Sequence, residues 1–178
     1  QGVKYNMTDS DSKHQELSHS GFVAIIGRPN VGKSTLFNRL AGMKLAIVSA
    51  KPQTTRQNAR VIINYDESQV IFIDTPGIHR PKSGLSEFMV HSALRATQES
   101  DAIVLLADGR FKNPSQVEID TVEYARKNNK KIILAINKTD QIEKESLLPL
   151  IQNYSELHSF EAIIPVSALT GDGIDILI

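Results

Sequence analysis

Residues Gly27-Arg28-Pro29-Asn30-Val31-Gly32-Lys33-Ser34, followed by Thr35, fit the spacing G-x-x-x-x-G-K-[ST]. Such a segment, between an apolar run and a helix, is suited to holding a polyphosphate. Glycines let the backbone curl until successive N–H groups point at one anion. The helix behind adds the positive end of its dipole. Lys33 supplies a point charge for the β- and γ-phosphates. Ser34 offers a hydroxyl to Mg2+, an ion that takes few protein oxygens beside phosphate and water. The competing reading is a plain strand–helix turn with a surface lysine. The apolar run 22–26 and the amphipathic run 32–41 on either side weigh against it.

Two further segments carry polar groups at the ends of apolar runs. Residues 71–73 lead into Asp74-Thr75-Pro76-Gly77. A carboxylate there can hold Mg2+ through water, and Gly77 can bring a bare N–H to the γ-phosphate. Alone, this would read as a strand and a Pro-Gly turn. Residues 132–136 lead into Asn137-Lys138-Thr139-Asp140. The carboxylate of Asp140 can accept two parallel hydrogen bonds from guanine N1–H and N2–H2, a pair adenine lacks. A mismatched base would leave it unpaired, which costs a few kcal/mol. The stem of Lys138 can lie over the base, and Asn137 can tie this loop to residues 27–34. Further on, Ser167-Ala168-Leu169 can present a backbone N–H to guanine O6.

These segments need a frame that brings them to one edge. Strands are predicted at 22–26, 60–65, 69–73, 102–107, 131–136 and 162–166. Helices are predicted at 32–41, 86–98, 115–128 and 144–157, with another starting at 173. Residues 44–58 read as irregular. Strands alternating with helices imply a three-layer α/β/α domain around a mainly parallel sheet of six strands. The 60–65 and 69–73 runs are too close for a helical crossover, so they supply one antiparallel strand. Residues 1–20 are polar, lack periodicity and read as a disordered tail, with residues 21–178 as the folded domain. Residues 1–6, ahead of Met7, fit native chain or vector sequence equally well.

The 178 residues hold 20 Lys+Arg, 20 Asp+Glu and no cysteine. Neutral balance argues against a surface given over wholly to nucleic acid. Without cysteine there are no disulfides and no thiolate chemistry. No apolar run approaches the roughly 20 residues that span a bilayer.

In order and spacing, Gly27–Ser34, Asp74–Gly77, Asn137–Asp140 and Ser167–Leu169 resemble the signature of translation-factor-type P-loop GTPases. Pro52-Gln53-Thr54-Thr55-Arg56 and the run from Asp74 through Ile78-His79-Arg80-Pro81-Lys82 look more narrowly like the Era family of ribosome-assembly GTPases, within the Era/TrmE-like group. The resemblance implies GTP and GDP as ligands with Mg2+, and Lys33, Thr55, Asp74 and Gly77 as the catalytic set. Ser34, Thr55 and Asp74 would hold the metal. Thr54 competes with Thr55 for the switch position. It implies a cytoplasmic protein, with peripheral attachment to the inner face of the membrane, that acts in small-subunit assembly and 16S rRNA maturation. Members carry an RNA-binding KH domain after the last helix of the GTPase domain. Here the sequence stops early in that helix, so RNA binding is expected of a longer parent and the isolated domain is expected to be a monomer.

Where many GTPases place a water-orienting glutamine, this chain has Ile78, so intrinsic turnover is expected to be slow. His79 and Arg80 are the nearest polar side chains. By resemblance, Asn30 would hold a K+ ion; the plainer account is a loop residue tolerating an unusual backbone. Lys51, Arg56, Arg60, Arg80 and Lys82 can form a nucleotide-sensitive basic face or merely solvated charge. Other readings are a module of a related ribosome- or tRNA-modification GTPase, and a guanine-nucleotide binder without turnover.

Overall fold

A computed structural model describes residues 19–49, 60–65, 68–73 and 97–178. The strands are β1 (His19–Ile26), β2 (Ala46–Ser49), β3 (Arg60–Tyr65), β4 (Ser68–Ile73), β5 (Ala102–Asp108), β6 (Lys131–Asn137) and β7 (Ala162–Pro165). The helices are α1 (Lys33–Ala41), α2 (Gln116–Lys127), α3 (Leu147–Leu157) and α4 (Ile174–Leu177). They form one sheet in the order β2-β3-β4-β1-β5-β6-β7.

The sheet has seven strands, not the six expected. The seventh is β2, inside the 44–58 stretch read as irregular. It pairs antiparallel with β3, Ala46 opposite Ile63. Four residues on an edge are too few to show an alternating pattern, and pairing with β3 makes the strand. The single reversed strand is β3, antiparallel to both β2 and β4. All other pairings are parallel. His19 and Ser20, assigned to the tail, belong to β1 and face Ser68 and Gln69 of β4; residues 1–18 lie outside the described residues. The helix expected at 86–98 also lies outside them, save its end, where residues 97–99 are helical. The helix expected at 144–157 opens as a 3-10 turn, Lys144–Ser146, and turns α-helical at Leu147. Pro149 then sits in the first turn of α3, where its missing N–H costs no hydrogen bond.

Period-two alternation sorts the central strands between two cores. Ile25, Val104, Leu106 and Ala135 face α1 and α4, where Leu36, Phe37, Leu40, Ile174 and Leu177 meet them. Ala24, Ile26, Ile103, Leu105, Leu134 and Ile136 face α2 and α3, against Val122, Ala125, Leu150 and Tyr154. Both faces of β5 are therefore buried, as its unbroken apolar run requires. From β1 the chain passes to the sheet edge at β2 and returns inward through β3 to β4, then crosses β1 to β5 on the other side. That reversal beside β1 leaves a crevice at the carboxyl ends of the parallel strands, the usual ligand position in open α/β sheets.

Candidate functional site

Every loop singled out by its polar residues leaves the carboxyl end of a parallel strand. Gly27 follows β1 directly and is buried. A Cβ there would collide with the carbonyl oxygen of Leu106 on β5, so only glycine lets the loop leave the sheet this close to its neighbour. Asn30 and Gly32 both take left-handed backbone conformations, φ 60° and 106°. A Cβ on Gly32 would strike the side-chain amide of Asn137. These turns curl residues 27–32 into a concave loop that runs into α1. The first turn of α1 has no side-chain cap and no acidic residue, leaving its positive end to a ligand. Lys33 Nζ donates to the carbonyls of Gly27 at 2.7 Å and Arg28 at 2.8 Å, so its ammonium lies back across the loop. Ser34 and Thr35 are exposed on the same turn, Pro29 is exposed and Val31 is buried in the core beneath.

The loops after β6 and β7 are held by side chains. Asn137 ends β6, is buried, and bonds in two directions. Its Nδ2 donates to Val31 O at 2.8 Å, and its Oδ1 accepts from Ala168 N–H at 2.9 Å. One amide thus joins the phosphate loop, β6 and the loop after β7. The hydroxyl of Ser167, fully buried, donates to Asp140 Oδ1 at 2.7 Å and accepts from Thr170 N–H at 3.1 Å. That bond is the main cause holding the exposed Asp140 carboxyl below its ordinary range; partial burial works against it, and further hydrogen bonds and the Lys138 charge assist. A pre-aimed carboxylate that stays ionised is what a guanine edge needs. Lys138 has φ 67° and sends its ammonium to Asn30 O at 2.6 Å. Asp140 lies on the short 3-10 turn Thr139–Gln141. Leu169 is exposed.

The structure brings together the expected residues of 27–35, 137–140 and 167–169. Thr54, Thr55, Asp74, Thr75, Pro76, Gly77, Ile78 and His79 lie outside the described residues, as do the basic residues Lys51, Arg56, Arg80 and Lys82. β4 ends at Ile73, paired in register with Ala24 of β1, so residue 74 follows the strand next to the one that carries the phosphate loop. The glycine-lined loop, the Lys33 ammonium and the exposed Ser34 hydroxyl fit a polyphosphate with Mg2+, and the Asp140 carboxylate fits guanine.

Two participants were not singled out from sequence. Arg39 of α1 donates through Nε to Ala168 O at 3.3 Å and through Nη2 to Leu169 O, pinning the base loop from below. Asp108 closes β5, and its signal was present: an apolar strand ending in an acid, the pattern that marks Asp74. Among the described residues no helix is long and apolar enough to cross a membrane.

Residues 22–138 match the family model described as 50S ribosome-binding GTPase. The chain is 47% identical over 159 residues to GTPase Era of Ruminiclostridium cellulolyticum, covering 89% of this chain and 53% of that protein. With GTPase Era of Geotalea uraniireducens the identity is 49%, with the same coverage. The chain thus spans about half the length of the curated relatives it matches. Among solved structures, Aquifex aeolicus Era bound to GDP and AlF4− matches with TM-score 0.70 and 39% identity over 89% of this chain and 54% of that one. Era in complex with MgGDPNP and a segment of 16S ribosomal RNA matches with TM-score 0.70 and 38% identity over the same shares. The G domain of the T. maritima FeoB iron transporter matches at 28% identity and TM-score 0.59, covering 89% of this chain and 94% of that domain.

Proposed function

The chain belongs to the family described as 50S ribosome-binding GTPase, and on that premise we propose that it is the guanine-nucleotide switch of an Era-like protein acting in small-subunit assembly. The observation that carries the nucleotide reading is Asn137, whose amide joins the phosphate loop to the base-reading loop. The ribosomal assignment rests on the GTPase Era relatives and on the 16S ribosomal RNA bound by one of the Era structures.

Lys33 turns from the carbonyls of Gly27 and Arg28 to the anionic oxygens of the phosphates, which are stronger acceptors than a carbonyl. The backbone N–H groups of residues 30–35 surround the phosphates, and the Asp140 carboxylate takes the guanine edge under the stem of Lys138. Ser34, Thr55 and Asp74 would hold Mg2+, which would supply positive charge against the developing negative charge of the phosphates. Thr55 and Gly77 meet the γ-phosphate, so its loss frees the segments around them. With Ile78 unable to orient water, turnover is slow. Asn30 takes a left-handed backbone conformation, which by itself accounts for asparagine there; K+ near Asn30 is a proposal that rests on the family resemblance.

RNA contact and peripheral attachment to the inner membrane face are assigned to the Era-like protein as a whole, and the domain itself is assigned as a cytoplasmic monomer. Phosphate release from GTP and from ATP, each with Mg2+ in K+ and in Na+ buffers, tests the reading. GTP turnover that is slow, needs Mg2+ and rises in K+ is expected. Equal use of ATP would overturn the base assignment, and equal rates in K+ and Na+ would remove the K+ ion.

A further inference from the structure

Asp108 is a buried acid, its side chain 3% exposed, on which three cations from three loops converge. Arg110 binds it through two guanidinium nitrogens, Nε to Oδ1 at 2.9 Å and Nη2 to Oδ2 at 2.8 Å, and its backbone N–H donates to Oδ1 at 3.1 Å. Lys138 Nζ lies 2.8 Å from Oδ2. Arg28 Nη2 lies 3.9 Å from the same oxygen, and its guanidinium stacks 3.7 Å above the Phe111 ring. Burial alone would neutralise such a group, but the hydrogen bonds from Arg110 and Lys138 outweigh it and keep the carboxyl well below its usual range.

The sheet sets this geometry. In the β5–β6 pairing Asp108 stands opposite Asn137, so the next residue, Lys138, emerges beside it. Lys138 has a positive φ, which a side-chain-bearing residue adopts only when its surroundings enforce it. Two acceptors grip its ammonium: Asp108 Oδ2, and Asn30 O on the phosphate loop at 2.6 Å. The neutral carbonyl is the weaker of the two. Anchoring the ammonium favours a pose in which the lysine stem lies across a base, and the charged anchor is Asp108.

We propose that Asp108 is a positioning residue for nucleotide retention: by fixing the Lys138 ammonium it holds the stem across the guanine plane and latches the base loop to the phosphate loop. The inference rests on the guanine-nucleotide reading of the site. Arg110 and Arg28 compensate the buried charge, whereas Lys138 transmits its effect to the ligand. Opening the latch is then a step on the release path.

The test is stopped-flow release of a fluorescent GDP analogue from the whole protein and from Asp108→Asn, Lys138→Met, Arg110→Ala and the Asp108→Asn/Lys138→Met double variant. Asp108→Asn keeps shape and loses charge; it should speed release by about tenfold, with the association rate nearly unchanged. Lys138→Met keeps the apolar stem and loses the anchor, and should match it. Combining the two should add less than about twofold, because both break one contact. Arg110→Ala should change release by less than about threefold. The preference for GDP over IDP should be the same in all, since Asp140 is untouched. Release within about twofold of the parent in Asp108→Asn, multiplying effects in the double variant, or an Arg110→Ala effect as large as that of Asp108→Asn would each overturn the proposal. Should Asp108→Asn not fold, unchanged release from Lys138→Met overturns it alone. Failure of the unsubstituted protein to bind the GDP analogue would instead overturn the guanine reading beneath it.

Discussion

The two ends of the site are built from different materials. At the base end, the buried side chains of Asn137 and Ser167 bond to protein partners in three loops, and Asp140 is aimed before any ligand arrives. At the phosphate end the shape comes from glycines and backbone, and the principal charge, Lys33, rests on its own loop's carbonyls. The base end is therefore preorganised, and its cost was met in folding. The phosphate end would be completed by the ligand, whose anionic oxygens are stronger acceptors than the carbonyls of Gly27 and Arg28. Selectivity should reside at the first end and most of the binding energy at the second.

The largest effect that would break this contrast is at Lys33. Lys33→Ala removes a charge-assisted contact of about 3 kcal/mol and should weaken GDP binding about 100-fold while the surviving preference for guanine over adenine stays put. Isothermal titration with GDP and ADP reads both. A comparable fall in base preference would show that the ends are not separable.

A smaller effect belongs to Arg39, which ties Ala168 and Leu169 to α1 from the exposed side. Arg39→Ala should cost about 1 kcal/mol, roughly a fivefold loss in GDP affinity. Pyrophosphate binding should not change. Equal losses for GDP and pyrophosphate would mean that Arg39 acts through α1 on the phosphate loop instead.

The smallest effect lies far from both ends. Burial, helped by the Arg126 charge, lowers the pKa of His158 below its ordinary 6.5. The neutral ring is favoured in the folded state, so its contribution is full above 6.5 and falls as pH drops through that value toward the folded pKa. Thermal melts from pH 5.5 to 7.5 should show a small downward slope on acidification that His158→Gln removes. GDP affinity measured alongside should not follow it.

Much of this organisation was legible in the residues. Gly27–Ser34 and Asn137–Asp140 carry their chemistry in local spacing, and each follows an unbroken apolar run, 22–26 and 132–136. What local spacing does not encode is pairing. β2 exists because β3 accepts it, and its four residues lack a period of their own. The acid at the end of an apolar strand is visible at Asp108, but its partner is not: only register places it beside Asn137 and so beside Lys138. Arg39 carries no local signal, and its role appears only once α1 lies under the loop after β7. Helix starts were offset where local chemistry intervened, as at the 3-10 turn before Leu147 and Pro149.

We assign base selection to one pre-aimed carboxylate, that of Asp140. Asp140 stays ionised above its ordinary 3.8, so guanine binding should be flat from pH 5 to 8 as far as this group is concerned. The direct test is the affinity of Asp140→Asn for GTP and for XTP. Exchanging an acceptor for a donor should weaken GTP by about 100-fold and make XTP the preferred ligand, because xanthine presents a carbonyl where guanine presents an amine. GTP affinity unchanged in Asp140→Asn, with no gain for XTP, would contradict it.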